Sequence, residues 1–199
     1  MNLLLDIFGS VVIAGLLFIM MIRLNLFSSQ TSYTSDSELI LQTNTKTLSE
    51  ILDYDLRKIG YRYDGTAITY ADSTRLVFKA DIDSNGTVDD VDYFIGDSTE
   101  ATGTANPTDI ILKRNLNGGP SAGGSEMTGS SLNLVKLKFT YLDQYSNKIP
   151  YLSTTQYDEI KYIKTEMWLA GDNPIPDAFT DTSSYAVTYW EFTIYPRNI

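Results

Sequence analysis

Apolar residues fill the start of the chain almost without interruption, and the pattern then changes period twice. Positions 7–22 carry no charged residue. The run 3–22 comes to roughly 20 residues, which at about 1.5 Å per helical residue matches the hydrocarbon core of a bilayer. A helix that is apolar on every side needs a membrane or a larger assembly around it. Positions 28–37 are a polar stretch dominated by Ser and Thr, with low helix propensity, and predict a fraying or flexible neck. Leu48, Ile51, Leu52, Asp55, Leu56 and Ile59 then recur at intervals of three and four. That spacing predicts an amphipathic helix, with Gly60 as its stop.

Beyond Gly60 the period falls to two. Segments 66–70, 75–82, 88–95, 110–114, 132–142, 160–169 and 185–195 are rich in Val, Ile, Phe, Tyr and Thr and predict strands. Val135, Leu137, Phe139 and Tyr141 share one face, opposite Lys136, Lys138 and Thr140. Ile163, Thr165, Met167 and Leu169 share another, as do Ala186, Thr188, Trp190, Phe192 and Ile194. Alternation of this kind belongs to antiparallel sheets with one covered face. The polar stretch 96–131, apart from its short strand, predicts long loops. The fold class that follows is α+β: a long N-terminal helix, half apolar and half amphipathic, packed on an antiparallel β head. Its domains are an apolar rod over 1–27, a neck and amphipathic helix over 28–60, and the head over 61–199.

Composition narrows the chemistry. The formal net charge is -10, with 15 basic and 25 acidic residues, so no basic face offers itself to nucleic acid. Cys and His are both absent. Their absence removes Ser-His and Cys-His nucleophiles and any metal site built on imidazole or thiolate. Asp158, Glu159 and Glu191 are read as surface carboxylates rather than an acid and base pair. Trp168 and Trp190 are read as sheet residues rather than a sugar platform. The pairs Gly118-Gly119 and Gly123-Gly124 do not lead from a strand into a helix and so do not cradle phosphate. No enzymatic constellation emerges.

Two acidic features stand out. Asp6 is the one charge inside the apolar run, where a carboxylate facing lipid costs about 3 kcal/mol unless it reaches the interface or a partner. The other is Asp81-Ile82-Asp83-Ser84-Asn85-Gly86-Thr87-Val88-Asp89-Asp90-Val91-Asp92. Asp81, Asp83, Asn85, Asp89 and Asp92 stand at loop positions one, three, five, nine and twelve, and Gly86 stands at six. This is the spacing that wraps Ca²⁺ in an EF-hand loop, with Thr87 giving its carbonyl. A plain hairpin competes, since Asn85-Gly86 favours a two-residue turn. Its register would set Phe78 against Tyr93, Ala80 against Val91, and Asp81 against Asp90, a like-charge clash that a cation would relieve.

Several strings resemble the type IV pilin-like proteins, in particular minor pilins and the minor pseudopilins of type II secretion. They are the helix ending Asp55-Leu56-Arg57-Lys58-Ile59-Gly60-Tyr61-Arg62 and the strand, acidic turn and strand from Leu76 to Tyr93. Val135-Lys136-Leu137-Lys138-Phe139-Thr140-Tyr141 and the closing Pro196-Arg197-Asn198-Ile199 complete the set. The resemblance implies a structural subunit that assembles through its apolar helix into an extracytoplasmic filament. Its partners would be other pilin-like subunits and the inner membrane, and its roles would lie in adhesion or secretion at the cell surface. The family's basic leader and its Glu at the fifth mature position do not occur as such. With Met1 removed, Asp6 stands fifth from Asn2, where the resemblance implies pairing with a neighbour's N-terminus. Arg23 taken alone would hold the C-terminal side in the cytoplasm, whereas the acidic, hydroxyl-rich head and the resemblance place it outside. A membrane-anchored, Ca²⁺-dependent adhesin or binding module that never polymerises is the other reading.

Overall fold

The computed structural model describes residues 3–117, 125–126, 132–151, 154–176 and 183–199. Helix α1 (Leu3–Arg57) is continuous for 55 residues, about 80 Å at 1.5 Å per residue. The expected neck is therefore helical. Thr31 and Thr34 return their hydroxyls to the carbonyls of Phe27 and Gln30, at 2.9 and 3.0 Å. Hydroxyls satisfied four residues back no longer compete for main-chain partners, so the polar stretch stays in register.

Seven strands occupy the predicted segments: β1 (Ile68–Ala71), β2 (Arg75–Ala80), β3 (Asp89–Ile95), β4 (Leu112–Leu116), β6 (Leu134–Leu142), β7 (Tyr162–Ala170) and β10 (Val187–Ile194). The short strands β5 (Ser125–Glu126), β8 (Ile175–Pro176) and β9 (Ser183–Ser184) add to them. Among the described residues the head divides into a five-stranded sheet, β1-β2-β3-β4-β5, a three-stranded sheet, β10-β7-β6, and a β8-β9 ribbon. Every pairing is antiparallel. The sheets meet where the amide of Phe139 donates to Ser73 O and that of Ile110 to Leu134 O, both at 2.7 Å. The glycine pairs at 118–119 and 123–124 lie outside the described residues.

One core joins helix and sheets. Leu41, Leu48, Leu52, Leu56 and Ile59 pack with Leu76, Phe78, Val91 and Tyr93 from the first sheet and with Leu137, Phe139, Ile163, Met167 and Ile194 from the second. The expected faces of β6 and β7 hold with one exception. A bulge between Leu134 and Lys136 turns Leu134 into the core and leaves Val135 half-buried. On β10 the alternation is diluted, because this is an edge strand and Trp190 stays 48% exposed.

Helix α1 ends where predicted. Gly60 adopts φ +77°, a conformation that favours glycine. Its amide donates to Lys79 O at 2.9 Å. A Cβ there would meet Asn198 O at 2.6 Å, so the glycine also makes room for the chain's last turn.

Candidate functional site: the uncovered helix and the acidic loop

Among the described residues, none covers the apolar start of α1. Its most apolar window is entirely uncovered by the rest of the chain and is long and apolar enough to cross a membrane. Phe8, Leu24 and Met21 are 73%, 68% and 68% exposed. Large apolar residues point outward in every direction, with no polar face. Gly9 and Gly15 have nothing within 4 Å of where a Cβ would sit. A mid-helix glycine costs about 0.5–1 kcal/mol relative to Ala, and no contact in the chain offsets that here. Asp6 lies exposed in the first turn.

The head first covers the helix near Ser37 and Leu41. There Tyr33, Ile40, Asn133, Asp172 and Pro174 line an open cavity of about 520 Å³. Asn44 donates to Asn133 Oδ1 at 2.5 Å, and Asn133 donates to Asp172 Oδ1 at 2.6 Å.

Asp55 is an acidic residue in the apolar stripe. It is 4% exposed. Tyr93 donates its hydroxyl to Asp55 Oδ2 at 2.5 Å, and Arg114 Nε donates to the same oxygen at 2.6 Å. Burial, with the Asp55 charge beside it, pushes the Tyr93 hydroxyl far up. Arg114 is held above its ordinary value although burial opposes its charge, because Tyr93 and Asp55 face it. The trio fastens helix, β3 and β4 together. Sequence reading placed Asp55 on the stripe without its partners; a carboxylate on an apolar face was the signal that it needed some.

The acidic segment forms neither the two-residue hairpin nor a closed twelve-position loop. In the observed register Phe78 pairs with Val91, Leu76 with Tyr93, Ala80 with Asp89 and Lys79 with Asp90. This differs by two residues from the hairpin register, so the facing apolar side is kept and Asp81 never opposes Asp90. The chain between β2 and β3 is wound instead. Ser84 and Gly86 have φ +63° and +91°. Asp83 Oδ1 accepts from the Asn85 amide at 3.1 Å, and Asn85 Oδ1 from the Thr87 amide at 2.7 Å. Asp81 Oδ2 accepts from the Gly86 amide at 3.0 Å and from Arg62 Nη1 at 2.9 Å. Burial works against the Asp81 charge, but Arg62 and the Gly86 amide hold its carboxyl below the ordinary range.

The six proposed metal ligands thus separate into three places. Asp81, Asp83, Asn85 and Thr87 share the wound turn. Asp89 begins β3, where its oxygens accept from Asn117 Nδ2 at 2.7 Å and the Ile82 amide at 3.4 Å. Asp92 is elsewhere: Arg75 grips it with two hydrogen bonds, each 3.0 Å. Among the described residues no three carboxylates gather at a point that could hold a metal. A cation would therefore draw on Asn85 and a main-chain carbonyl as well.

The other carboxylates singled out from the sequence, Glu191, Asp158 and Glu159, are exposed. Glu191 lies beside Lys164 at 2.8 Å and accepts from the Tyr189 hydroxyl. Asp158 and Glu159 sit in a short 3₁₀ turn (Thr154–Glu159), not on a strand, and both are exposed. Trp168 stacks obliquely on Tyr189 at 5.0 Å, under the Lys136 ammonium at 4.6 Å.

No family model matches this chain, and no curated protein does. The architecture is nonetheless α+β and pilin-like: one long N-terminal helix, apolar and free for half its length, packed for the other half on antiparallel sheets.

Proposed function

We propose that the protein is a structural subunit, of the minor pilin or pseudopilin kind, in an extracytoplasmic type IV pilus-like filament. It works by association and catalyses no reaction. The observation that carries this reading is the apolar half of α1, whose most apolar window no described residue covers on any side. Such a rod is stable in lipid, and equally stable among identical or related rods that replace lipid. Gly9 and Gly15 suit the second environment, since glycines let helices approach closely where side chains would hold them apart.

The head is held outside the inner membrane while the rod is in the bilayer, and it reaches the cell surface once the rod enters the filament. Asp6 sets the register there. A buried carboxylate paired with a neighbour's N-terminal ammonium adds little net stability, but a misplaced neighbour leaves it unpaired at a cost of several kcal/mol.

The test is electron microscopy of sheared surface material with the subunit labelled, comparing wild type and Asp6→Ala. Labelled fibres in wild type, and their loss in Asp6→Ala with normal membrane insertion, are expected. Labelled protein that stays in the membrane fraction and never enters a fibre, while surface binding persists, would show a lone membrane-anchored module instead.

A further inference from the structure

We propose that the outer edge of β10 pairs with the same edge of a second copy of this chain, forming an antiparallel, two-fold joint whose two rods point in opposite directions. The strand itself invites such pairing. β10 reads Val-Thr-Tyr-Trp-Glu-Phe-Thr-Ile, with no Pro or Lys and with Glu191 as its one charge. Its register against β7 runs through all eight residues without a bulge. Long, regular, apolar edges are what folds ordinarily blunt with lysine, proline or a bulge, because their free main-chain groups template another strand.

Among the described residues the other edges of the head are blunted. β1 is four residues long, has a register break, and lies beside the 3₁₀ turn. β5, β8 and β9 are two residues each. The far side of β6 is occupied, since the Phe139 amide donates to Ser73 O and Tyr141 O accepts from the Ile149 amide at 2.9 Å. Only β10 is both long and open, with Val187, Tyr189, Trp190 and Tyr195 exposed along it. The open edge of one copy therefore finds its match in β10 of another, which makes the contact isologous.

The main chain fixes which atoms meet. The Gly171 amide donates to Ala186 O at 2.9 Å, so by antiparallel alternation Ala186, Thr188, Trp190, Phe192 and Ile194 turn their main-chain groups to β7. Val187, Tyr189, Glu191 and Thr193 turn theirs to the open edge. A joint centred on Trp190 uses all four, giving about eight main-chain hydrogen bonds. The side chains agree with that register. It sets each Tyr189 across from Glu191 of the other copy, and within one chain the Tyr189 hydroxyl already donates to Glu191. Centring on Glu191 would instead oppose two carboxylates, which is unfavourable. Trp190 then meets its own copy at a non-hydrogen-bonded pair, where facing side chains lie closest.

β10 runs in the same direction as α1, because Ser184 to Thr188 line one groove with residues from Gln30 to Gln42, while Asn198 reaches Ile59 O. Antiparallel pairing of two such strands turns one rod against the other. The joint links copies held in facing membranes or in separate fibres, and parallel rods in one bilayer cannot form it. It is independent of whether the rod polymerises.

The full chain in detergent micelles and in lipid vesicles tests this. Wild type is expected to be a dimer by light scattering in the micromolar range, and vesicles bearing it should cluster. Tyr189→Pro removes an edge N–H while leaving the bonds to β7, and should abolish both. Val187→Lys combined with Thr193→Lys keeps the main chain but sets ammonium groups across from one another, with the same loss. The chain has no Cys, so Trp190→Cys reports the register: its two copies stand about 4.5 Å apart at Cα and should form a disulfide on mild oxidation. Thr188→Cys, which faces Phe192, should stay unlinked. A monomeric wild type, a dimer that survives Tyr189→Pro, or equal cross-linking of the two cysteine variants would overturn the joint. A surviving dimer of that kind belongs to the rods and leaves the filament reading standing. Dimers in micelles without clustered vesicles would overturn the opposed arrangement of the rods.

Discussion

The two halves of α1 are one unbroken helix with opposite relations to the rest of the molecule. From Leu41 onward its apolar residues fall on a single stripe, and Leu48, Leu52, Leu56 and Ile59 are 1%, 0%, 0% and 0% exposed. Before that point they are scattered round the whole circumference, and Phe18 and Leu17 remain 63% and 60% exposed. A sheet can cover one stripe but not a cylinder. The distal half is therefore covered within the chain, while no described residue covers the apolar start of the proximal half.

Substitutions along the helix and its joint should separate the two halves sharply, as read by chemical denaturation in detergent micelles. The largest effect is expected for Asp55→Ala. It leaves Arg114 and Tyr93 without their shared acceptor, and breaking a buried pair from one side costs about 3–5 kcal/mol. Loss of less than about 1 kcal/mol would mean that Tyr93 and Arg114 are satisfied without Asp55, and the trio would not then be a fastener. Next comes Leu52→Ala, fully buried in the core, at about 3 kcal/mol. Gly60→Ala follows at about 2 kcal/mol, combining an unfavourable φ with the approach of Asn198.

A smaller effect comes from acid. The folded Asp81 carboxyl is held below its ordinary value of 3.8, so its stabilisation is complete above that pH and is lost as the pH falls through the lower folded value. Asp81→Asn should flatten that part of the stability profile, and an unchanged acid limb would remove Arg62 and Gly86 as the cause. Smallest of all is Phe18→Ala, which should leave the head's denaturation midpoint unchanged. A measurable shift would mean that the rod folds back on the head, and the contrast between the halves would collapse.

Much of the fold was legible in order and period. All seven predicted strands formed, because β-branched and aromatic alternation over five or more residues has few other outcomes. The helix stop at Gly60 was equally legible, since it combines the end of a stripe with a residue suited to positive φ. The neck at 28–37 was misread because propensity describes isolated residues, whereas a helix nucleated on both sides carries a short weak stretch across at little cost.

The candidate loop was legible only as a list of oxygens. Which of them share a turn depends on partners far along the chain. Arg75 takes Asp92 at a separation of 17 residues, and Asn117 takes Asp89 at 28. The division into two sheets, the bulge that exchanges Val135 for Leu134, and the partners of Asp55 have the same origin.

By itself the chain's pattern determined an uncovered apolar rod, an amphipathic continuation and a β-rich acidic head without Cys or His. These follow from local periodicity and composition, which any stretch carries within itself. Only the tertiary structure decided the strand register, the sheet division, the Asp55 trio and the partition of the acidic segment. Each of those is a contest between distant groups for the same hydrogen bonds and the same buried volume, and no local stretch of sequence holds both contestants.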